Sequence, residues 1–593
     1  MSDEDNLYTV YQNVATDDFV SLIGKIPEPR NLIYSHKNGH YIRRSLSKKC
    51  KLSFKSAFAT VAEFDEIVDC QKDGSVCCFS LNEDSEIRLA CENLCKFTGC
   101  KKYLIVMPLI SLYCQEIVTK YPQKINLLEF HLEICPLESD NFIIPSEDCF
   151  DKCFAKGDIS DIYEIARAFL KLELLNGVPS RVFTFGDISY KVNNLLEEMK
   201  SQIGKTFLNT EPQFHEMIIL DRTVDLITPL LTQFFYAGVI DDKYGTDYGY
   251  LTLPDGLTLN KKDKKYEEVL LADRKDKIFA EIKEMSIYNA NERIDELTKE
   301  ISEIENKMKD STGTRQWNVY AKRAQKLGEL KPYLELHLDL LVKLLNINRY
   351  MKPMMNYEYN LLLQEETEDN LQTRLINSEF NLDAIRLMCL NSVISNGLSQ
   401  KVISDFQNIL INKFGSNVIQ DINNLKRAGL LVANSSFFDK QKQPKFSTIN
   451  NEFKLVVDSS LVTDEVEGTS RHTDIEAGYD SYVPLLLRII QFSLDNQLNN
   501  ETPISKLLNQ MKINYHIYGE EWVRKVSNNG YEPKRVLVFI IGGITATEIL
   551  LLRQMGKIIF NGSVEFHIGS TNIINSKRLL KSLCPTISKS MSN

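Results

Sequence analysis

The sequence predicts an α/β protein with two parallel-sheet domains and a mainly α-helical domain inserted into the second of them. Two short apolar runs, Met217–Leu220 and Val536–Ile541, predict strands that are buried on both faces of a parallel sheet. Between them, residues 263–348 carry little strand pattern and a coiled-coil spacing of leucine and isoleucine. Because each apolar strand needs neighbours that the other half of the chain supplies, the helical region is predicted to interrupt one sheet.

Length and charge restrict the class of protein. A chain of 593 residues exceeds the roughly 250–300 residues at which a single core stops growing. The net charge of −10 disfavours nucleic acid or an anionic membrane as the main partner. The acidic start Met1–Asn6 does not resemble a signal peptide, and the apolar run Val536–Ile544 is too short to span a bilayer. We therefore expect a cytoplasmic protein that reaches membranes through partners.

Cysteines are concentrated at one end of the chain. Of the 13 cysteines, all but Cys389 and Cys584 precede residue 154. The sequence contains no Cys-x-x-Cys pair, and its histidines lack the spacing of metal ligands. A disulfide-stabilised secreted scaffold would be short and rich in cysteine throughout. Reduced thiols and no bound metal are the expectation.

The first domain is predicted over residues 1–135. Residues 1–20 are polar, and we expect them to be loose. Alternation of strands and helices then predicts a parallel sheet. The strands are predicted at Asn31–Tyr34, Lys102–Pro108 and Ile125–Ile134, and the helices at Glu86–Cys95 and Ile110–Lys120.

The second domain is predicted to be discontinuous, over residues 136–240 and 475–593, with the helical third domain at 241–474. The irregular segment Pro136–Phe150 marks its start. Its predicted helices are Ser160–Leu175, Tyr190–Ile203 and Thr545–Met555, and its predicted strands are Val182–Phe185, Met217–Leu220, Arg535–Ile541 and Val564–Ile568.

Polar residues follow the strand Met217–Leu220 at the edge where ligands bind in open α/β sheets. Asp221 and Asp225 would be the carboxylates of a metal or phosphoryl site, but Thr223 stands where a paired aspartate would be needed. We favour a structural turn formed by Asp221, Arg222, Asp225 and Pro229, in which the carboxylates accept backbone N–H bonds. A buried helix is expected from Pro229.

Two glycine-containing segments invite a nucleotide-binding interpretation. Gly204-Lys205-Thr206 resembles the end of a phosphate-binding loop, but Met199 replaces the required glycine and a helix precedes it. Gly542-Gly543 follows a strand but lacks the third glycine of a dinucleotide-binding turn. We interpret Gly542 and Gly543 as a tight structural turn and expect no cofactor.

Two periodic runs predict an antiparallel helical hairpin over about residues 263–348. The first run holds Ile294, Leu297, Ile301, Ile304 and Met308, and the second holds Leu327, Leu330, Leu334, Leu338, Leu341 and Leu345. Aromatic and basic residues close to the turn predict a protein-binding tip, the alternative being a buried hairpin. The predicted tip residues are Arg315, Trp317, Tyr320, Lys322, Arg323 and Lys326.

Pro332 interrupts the second run. Proline inside a helix removes one hydrogen bond and clashes with the preceding turn, whereas proline in a first turn costs little. Two interpretations stay open, a hinge that lets the tip swing and the start of a new helix.

The segment Leu220–Gln233, LDRTVDLITPLLTQ, resembles the hallmark of the SM proteins, the Sec/Munc family of syntaxin-binding proteins. Its continuation to Asp242 is most similar to the class C vacuolar-sorting branch, the SM subunit of the HOPS and CORVET tethering complexes. Residues 383–431, 474–491 and 535–553 resemble the family as well.

The resemblance implies an SM-type three-domain arch without a catalytic site. It implies a chaperone that templates and proofreads SNARE assembly, with syntaxin-type and R-SNARE partners and tethering-complex subunits. It also implies peripheral recruitment to late endosomes, lysosomes or the vacuole, and SNARE contact through the hairpin. Two alternatives remain, a nucleotide-dependent enzyme with a Rossmann-like domain and a coiled-coil scaffold without SNARE contact.

Overall fold

The computed structural model describes residues 7–47, 57–64, 74–204, 211–254, 256–257, 268–272, 276–310, 314–365, 382–434, 444–456, 482–498, 502–521, 526–527 and 530–592. Within these ranges, the side chains of 7, 305, 308–310, 314–327, 329, 347–351, 526–527, 530–531 and 591–592 lie outside the description. The chain forms two compact units. The first comprises Met1–Pro145, Ile162–Pro179 and Asn194–Phe214, and the second comprises Ser146–Asp161, Ser180–Asn193 and His215–Asn593.

The first unit contains a five-stranded parallel sheet. Its strands are β1 (Arg30–Tyr34), β2 (Thr60–Glu63), β3 (Ser75–Leu81), β4 (Lys101–Met107) and β5 (Ile125–Glu129), followed by the short antiparallel pair β6 (Cys135–Pro136) and β7 (Asn141–Ile143). The sheet order is β2-β1-β3-β4-β5, and every neighbouring pair is parallel. The helices are α1 (Leu7–Gly24), α2 (His36–Ser45), α3 (Asp84–Cys95), α4 (Leu112–Thr119) and α5 (Asp161–Asn176). The predicted parallel sheet of this region is confirmed.

The expectation of a loose N-terminus is wrong for the residues that the structure describes. Residues 7–24 form α1, and Tyr11 and Phe19 on this helix are buried. The Tyr11 hydroxyl accepts the backbone N–H groups of Glu133 and Ile134, each at 2.9 Å. The polar composition concealed a helix that buries one aromatic stripe.

Strand β3 accounts for two of the concentrated cysteines. Cys77 and Cys78 are fully buried in this central strand, and burial raises the pKa of the Cys77 thiol to about 12. Every cysteine whose pairing is described is a free thiol. Cysteine acts here as a small apolar core residue.

The second unit contains a mixed sheet and two separate strand pairs. The strands of this unit are β8 (Arg181–Phe185), β9 (Glu216–Asp221), β10 (Tyr250–Thr252), β11 (Glu268–Leu270), β12 (Tyr515–Gly519), β13 (Val526–Ser527), β14 (Gly530–Tyr531), β15 (Lys534–Ile541) and β16 (Val564–Ser570). Strands β8, β9, β15 and β16 are neighbours in that order and parallel, and β12 adds to β8 in the antiparallel direction. Strands β10 and β11 pair separately, as do β13 and β14.

The pairing of β9 with β15 joins strands from the two sides of the helical region. Val536 lies opposite Glu216 and Ile541 opposite Asp221, so the register is continuous along both strands. Strand β9 is buried along its whole length and β15 is buried from Val536 to its end, as their apolar runs predict. The domain boundaries predicted from the sequence remain a prediction.

Helices surround this sheet and form the rest of the second unit. They are α6 (Asp187–Ile203, of which the residues up to Asn193 belong here), α7 (Tyr236–Tyr244), α8 (Lys277–Ile282), α9 (Ile287–Asp310), α10 (Thr314–Leu362), α11 (Leu382–Ile394), α12 (Gln400–Phe414), α13 (Val418–Arg427), α14 (Phe446–Phe453), α15 (Leu485–Leu494), α16 (Pro503–Gln510), α17 (Ala546–Ile558), α18 (Ser576–Leu583) and α19 (Pro585–Ser592). No helix in the described ranges has the length and apolar character needed to cross a membrane.

Three expectations for the second unit need correction. The helix expected from Pro229 does not form there, because a 3₁₀ turn at Thr228–Leu230 is followed by irregular chain until α7 begins at Tyr236. The hairpin helices begin at Ile287 rather than near residue 263, since β11 and α8 come first. Pro332 lies inside the continuous helix α10, so it does not start a new helix.

Candidate functional site

Arg222 is the first residue after β9 and is completely buried. Its Nη1 donates to both carboxylate oxygens of Glu548 at 2.9 Å, while Nε and Nη2 donate to the backbone oxygen of Asp225 at 3.0 and 2.7 Å. Buried arginine is tolerated only with this degree of pairing. Arg222 therefore connects the β9 turn to the start of α17.

Glu548 also caps the helix that carries it. The Thr545 hydroxyl accepts the Glu548 N–H at 3.1 Å, and the Glu548 carboxylate accepts the Thr545 N–H at 2.9 Å. This reciprocal capping box satisfies two backbone donors at the N-terminus of α17. Burial raises the pKa of Glu548, while Arg222 acts in the opposite direction.

The two aspartates of the turn are occupied by backbone donors. Asp225 Oδ1 accepts the N–H groups of Ile227 and Thr228 at 3.1 and 3.0 Å. Asp221 accepts the N–H groups of Ile188 and Ser189, at the start of α6, at 2.9 and 2.7 Å. These contacts support a structural role for both carboxylates rather than metal or phosphoryl chemistry.

Gly542 and Gly543 complete this turn region with φ values of +98° and +113°. A Cβ at Gly542 would lie 3.1 Å from Cβ of Arg222, and a Cβ at Gly543 would collide with Ile574. Both positions therefore require glycine for conformation and for space. Pro229 is buried in the 3₁₀ turn nearby in sequence.

The long helix α10 is attached to the same chain segment at Thr232. Glu358 on α10 accepts the Thr232 N–H at 2.9 Å and the Thr232 hydroxyl at 2.7 Å. Arg386 of α11 donates to Glu358 at 2.6 Å and to the backbone oxygen of Leu230 at 2.5 Å. The buried network fixes the C-terminal part of α10 beside residues 230–232.

A second attachment lies 21 residues earlier on α10, at His337. The ring of His337 makes two hydrogen bonds, one between Nδ1 and the Tyr236 hydroxyl and one between Nε2 and Asp276 Oδ2, both at 2.8 Å. Asp276 also caps α8 by accepting the Phe279 N–H at 2.9 Å. The imidazole is fully buried, and its two hydrogen bonds connect α10 to the start of α7 and to the start of α8.

Apolar contacts fill the base of the hairpin. Helix α9 packs against α10. Ile294 and Ile301 of the first predicted seam are buried, as are Leu334 and Leu341 of the second. The hairpin is thus a supported element, with a packed base and two hydrogen-bonded attachments to the sheet-bearing part of the unit.

The predicted tip lies on α10, but its side chains are outside the description. This applies to Arg315, Trp317, Tyr320, Lys322, Arg323 and Lys326. Pro332 is between the tip and His337, inside the helix. Because proline has no N–H, the carbonyl four residues earlier, at Gly328, lacks its helical donor. One helical hydrogen bond is therefore missing between Gly328 and Pro332, at the end of the packed base where Leu330 and Tyr333 still contact the core.

The fold combines parallel sheets with a helical hairpin that is attached to the second unit. The segment LDRTVDLITPLLTQ spans the end of β9 and the buried turn that follows it. The model of the Sec1 family matches residues 70–582 of this chain. The chain belongs to the Sec1 family.

Two relatives match most of the chain. Vacuolar protein sorting-associated protein 33A of Rattus norvegicus is 25% identical over 481 residues, which cover 77% of this chain and 76% of the relative. Vacuolar protein sorting-associated protein 33 of Schizosaccharomyces pombe is 26% identical over 449 residues, which cover 71% and 72%. This chain is thus similar to vacuolar sorting proteins over most of its length.

Two solved structures have the same fold. The SM protein Vps45 in complex with the Qa SNARE Tlg2 aligns over 97% of both chains, with a TM-score of 0.57 and 14% identity. The Unc18–syntaxin 1 complex from Monosiga brevicollis aligns over 97% of this chain and 99% of the other, with a TM-score of 0.57 and 14% identity. The predicted SM-type fold and family are confirmed.

Sequence reasoning missed the residues that attach the turn and the hairpin. These are Asp276, His337, Glu358, Arg386 and Glu548. Only Glu548 had a local signal, since Thr545-x-x-Glu548 is a capping-box sequence. The others find partners far away in the chain, which a single sequence does not reveal.

Proposed function

We propose that this chain is a SNARE-binding chaperone that promotes SNARE complex assembly in vesicle traffic. The observation that carries the proposal is the match of the Sec1 family to residues 70–582. Support comes from two structures of the same fold, Vps45 in complex with the Qa SNARE Tlg2 and Unc18 in complex with syntaxin 1.

The hairpin is the element that we propose to hold the SNARE segments. Unfolded partners lose conformational entropy when they order, and this loss slows nucleation of a helical bundle. A surface that aligns two segments beforehand takes over part of that cost. Attachment of α10 at His337 and Glu358 supports this role, because a template must keep its own shape while its partners fold.

We propose that the aromatic and basic tip of α10 is the contact surface for an R-SNARE. Trp317 and Tyr320 would supply apolar anchors, and Arg315, Lys322, Arg323 and Lys326 would pair with acidic side chains. Pro332 would act as the hinge between this tip and the attached base. Its position inside α10, five residues before the buried His337, supports the hinge.

The compartment and assembly are inferred from the relatives. Two curated relatives are named for vacuolar protein sorting. We place this chain at late endosomal, lysosomal or vacuolar membranes, as a subunit of a HOPS- or CORVET-type tethering complex. We propose no catalytic activity, because the carboxylates of the β9 turn are engaged by backbone N–H groups.

Binding of the full chain to recombinant SNARE cytosolic domains tests the proposal. Trp317→Ala should weaken R-SNARE binding by at least about fivefold, the usual range for an interface aromatic, without changing thermal unfolding. Tyr163→Ala is a matched control, since this tyrosine of α5 is 49% exposed in the first unit. Equal binding by the Trp317→Ala variant and the parent would show that the tip is not the contact surface.

A further inference from the structure

Strand β12 is an edge of the second unit's sheet. In the described part of the chain it pairs with β8 and with no other strand. Backbone bonds from Gly186 N to Asn514 O and from Glu520 N to Ser180 O flank the strand at 2.8 and 3.1 Å. Antiparallel ladders alternate, so the backbone groups of the odd-numbered residues, with Ile517 at the centre, are directed away from the sheet.

The rim of this edge is apolar and accessible. Ile517 is 44% exposed on one face of the strand. On the other face the His516 ring lies 4.4 Å from that of Tyr190 and 6.2 Å from that of Tyr518. Tyr190, on α6, is itself 37% exposed. Natural edges are usually protected by lysine, proline or a bulge, and the sequence of β12, YHIYG, contains neither lysine nor proline.

We infer that β12 is a docking site for an extended segment of a partner protein, which adds to the sheet as a further strand. The outward backbone groups select a strand rather than a helix, because only an extended chain presents donors and acceptors at the matching interval. The segment would place apolar side chains beside Ile517 and beside the Tyr190–His516 ring pair. This surface is separate from the hairpin tip and does not depend on the proposed SNARE contact.

The charged residues at the two ends of β12 favour a partner segment that carries a basic residue at one end. Glu520 and Glu521 follow β12 and are both exposed, while Lys512 is an exposed cation before the strand. A basic residue of the incoming segment opposite Glu520 would therefore be favoured.

A second copy of this chain is a poorer occupant. In a symmetric antiparallel pair centred on Ile517, Glu520 would face Asn514 of the other copy, and the Asn514 side chain is hydrogen-bonded to Asp187. That register brings carboxylates together, and like charges across an interface are costly.

Selection from a phage-displayed library of seven-residue segments tests the inference. The library alternates apolar and polar residues and carries lysine or glutamate at one end, and it is selected on the full-length protein. We expect lysine-ended segments to be enriched and to bind Ile517→Pro at least about tenfold more weakly, because proline removes an outward N–H. Ile517→Lys, which keeps the backbone donor, should also weaken binding. Thermal unfolding of both variants should match the parent, since proline is tolerated on an edge.

N-methylation of the selected peptides gives a second readout that does not alter the protein. Methyl groups on alternate peptide nitrogens should abolish binding, and methyl groups on the intervening nitrogens should leave it unchanged. Equal sensitivity at every position, undiminished binding by Ile517→Pro, failure to enrich any segment, or a β12-dependent dimer in sedimentation would each overturn the inference.

Discussion

Arg222 and Glu548 lie 326 residues apart in the chain, yet both oxygens of the glutamate accept from the same arginine nitrogen at 2.9 Å. The pair is completely buried and connects the turn after β9 to the first turn of α17. The pair therefore joins two segments that flank the helical region in the sequence, next to the paired strands β9 and β15.

Removal of one partner of this buried ion pair should lower the stability of the second unit. Glu548→Ala removes the bidentate carboxylate partner of the buried Arg222 guanidinium and leaves only the more distant Asp225 carboxylate, at 3.7 Å. We expect this to destabilise the second unit by about 3–5 kcal/mol. Hydrogen exchange of the β9 and β15 amides measures this change without assuming two-state unfolding. Glu565→Ala is the control, because Glu565 forms a partly exposed ion pair with Arg535 and should cost less than about 1 kcal/mol. Similar exchange in both variants would argue against a stabilising role for the buried pair.

Asp221 predicts a pH dependence of stability. Burial raises its folded-state pKa to about 7, against the backbone N–H bonds that lower it. A group whose pKa is higher in the folded state binds its proton more tightly there, so its contribution is largest at low pH. The unfolding free energy should therefore fall as pH rises from about 4 to about 7 and level off above that.

Asp221→Asn removes this titration, so its stability relative to the parent should improve as pH rises. Urea denaturation at pH 5, 6, 7 and 8 checks the trend. Glu198→Gln, at an exposed position of α6, should leave the parent's slope unchanged. Parallel pH profiles for the parent and Asp221→Asn would contradict the prediction.

Replacement of His337 should destabilise the base of the hairpin locally. His337→Phe can retain the stacking with Phe279 but loses both hydrogen bonds, so the Asp276 carboxylate keeps only its capping contact. Unsatisfied buried polar groups cost about 1–3 kcal/mol each. Hydrogen exchange in α8, α9 and the base of α10 should accelerate, whereas Asp339→Ala, at an exposed position of α10, should have no such effect. Unchanged exchange in His337→Phe would exclude this attachment as a support of the hairpin.

Replacement of Pro332 should raise the affinity for an R-SNARE rather than lower it. Pro332→Ala restores the missing helical donor, straightens α10 and favours the extended tip, so R-SNARE affinity should rise by up to the few kcal/mol that separate such states. Pro353→Ala is a matched control, because Pro353 lies inside the same helix on the far side of His337. Titration of both variants with the R-SNARE cytosolic domain measures the difference. An affinity equal to that of the parent in Pro332→Ala would end the hinge hypothesis.

The sequence predicted the elements whose pattern is local. The interior strands β9 and β15 were found because each is an unbroken apolar run buried on both faces. Helix α1 and strand β3 were missed, the first because polar residues outnumber its aromatic stripe and the second because serine and cysteine interrupt its run of large apolar residues. The antiparallel β12 was also missed, since a half-exposed edge strand of five residues has little apolar signal.

The attachments of the hairpin could not be predicted for a different reason. His337 and Glu358 each find partners more than 60 residues away, and the benefit of such a contact depends on the completed fold. Histidine and glutamate on a helix are otherwise typical of a solvated face. The turn residues Asp221, Arg222 and Asp225 were assigned as structural from local chemistry, and their hydrogen bonds support that assignment.

Simultaneous binding of two SNARE proteins is the most direct test of the proposed function. The full chain is titrated with a labelled R-SNARE cytosolic domain in the presence and absence of a Qa-SNARE cytosolic domain, and the complexes are resolved by sedimentation velocity. A ternary complex with one copy of each protein, weakened by Trp317→Ala but not by Tyr163→Ala, is the predicted result. Absence of binding to either SNARE, or mutually exclusive binding of the two, would contradict a role as a template for SNARE assembly.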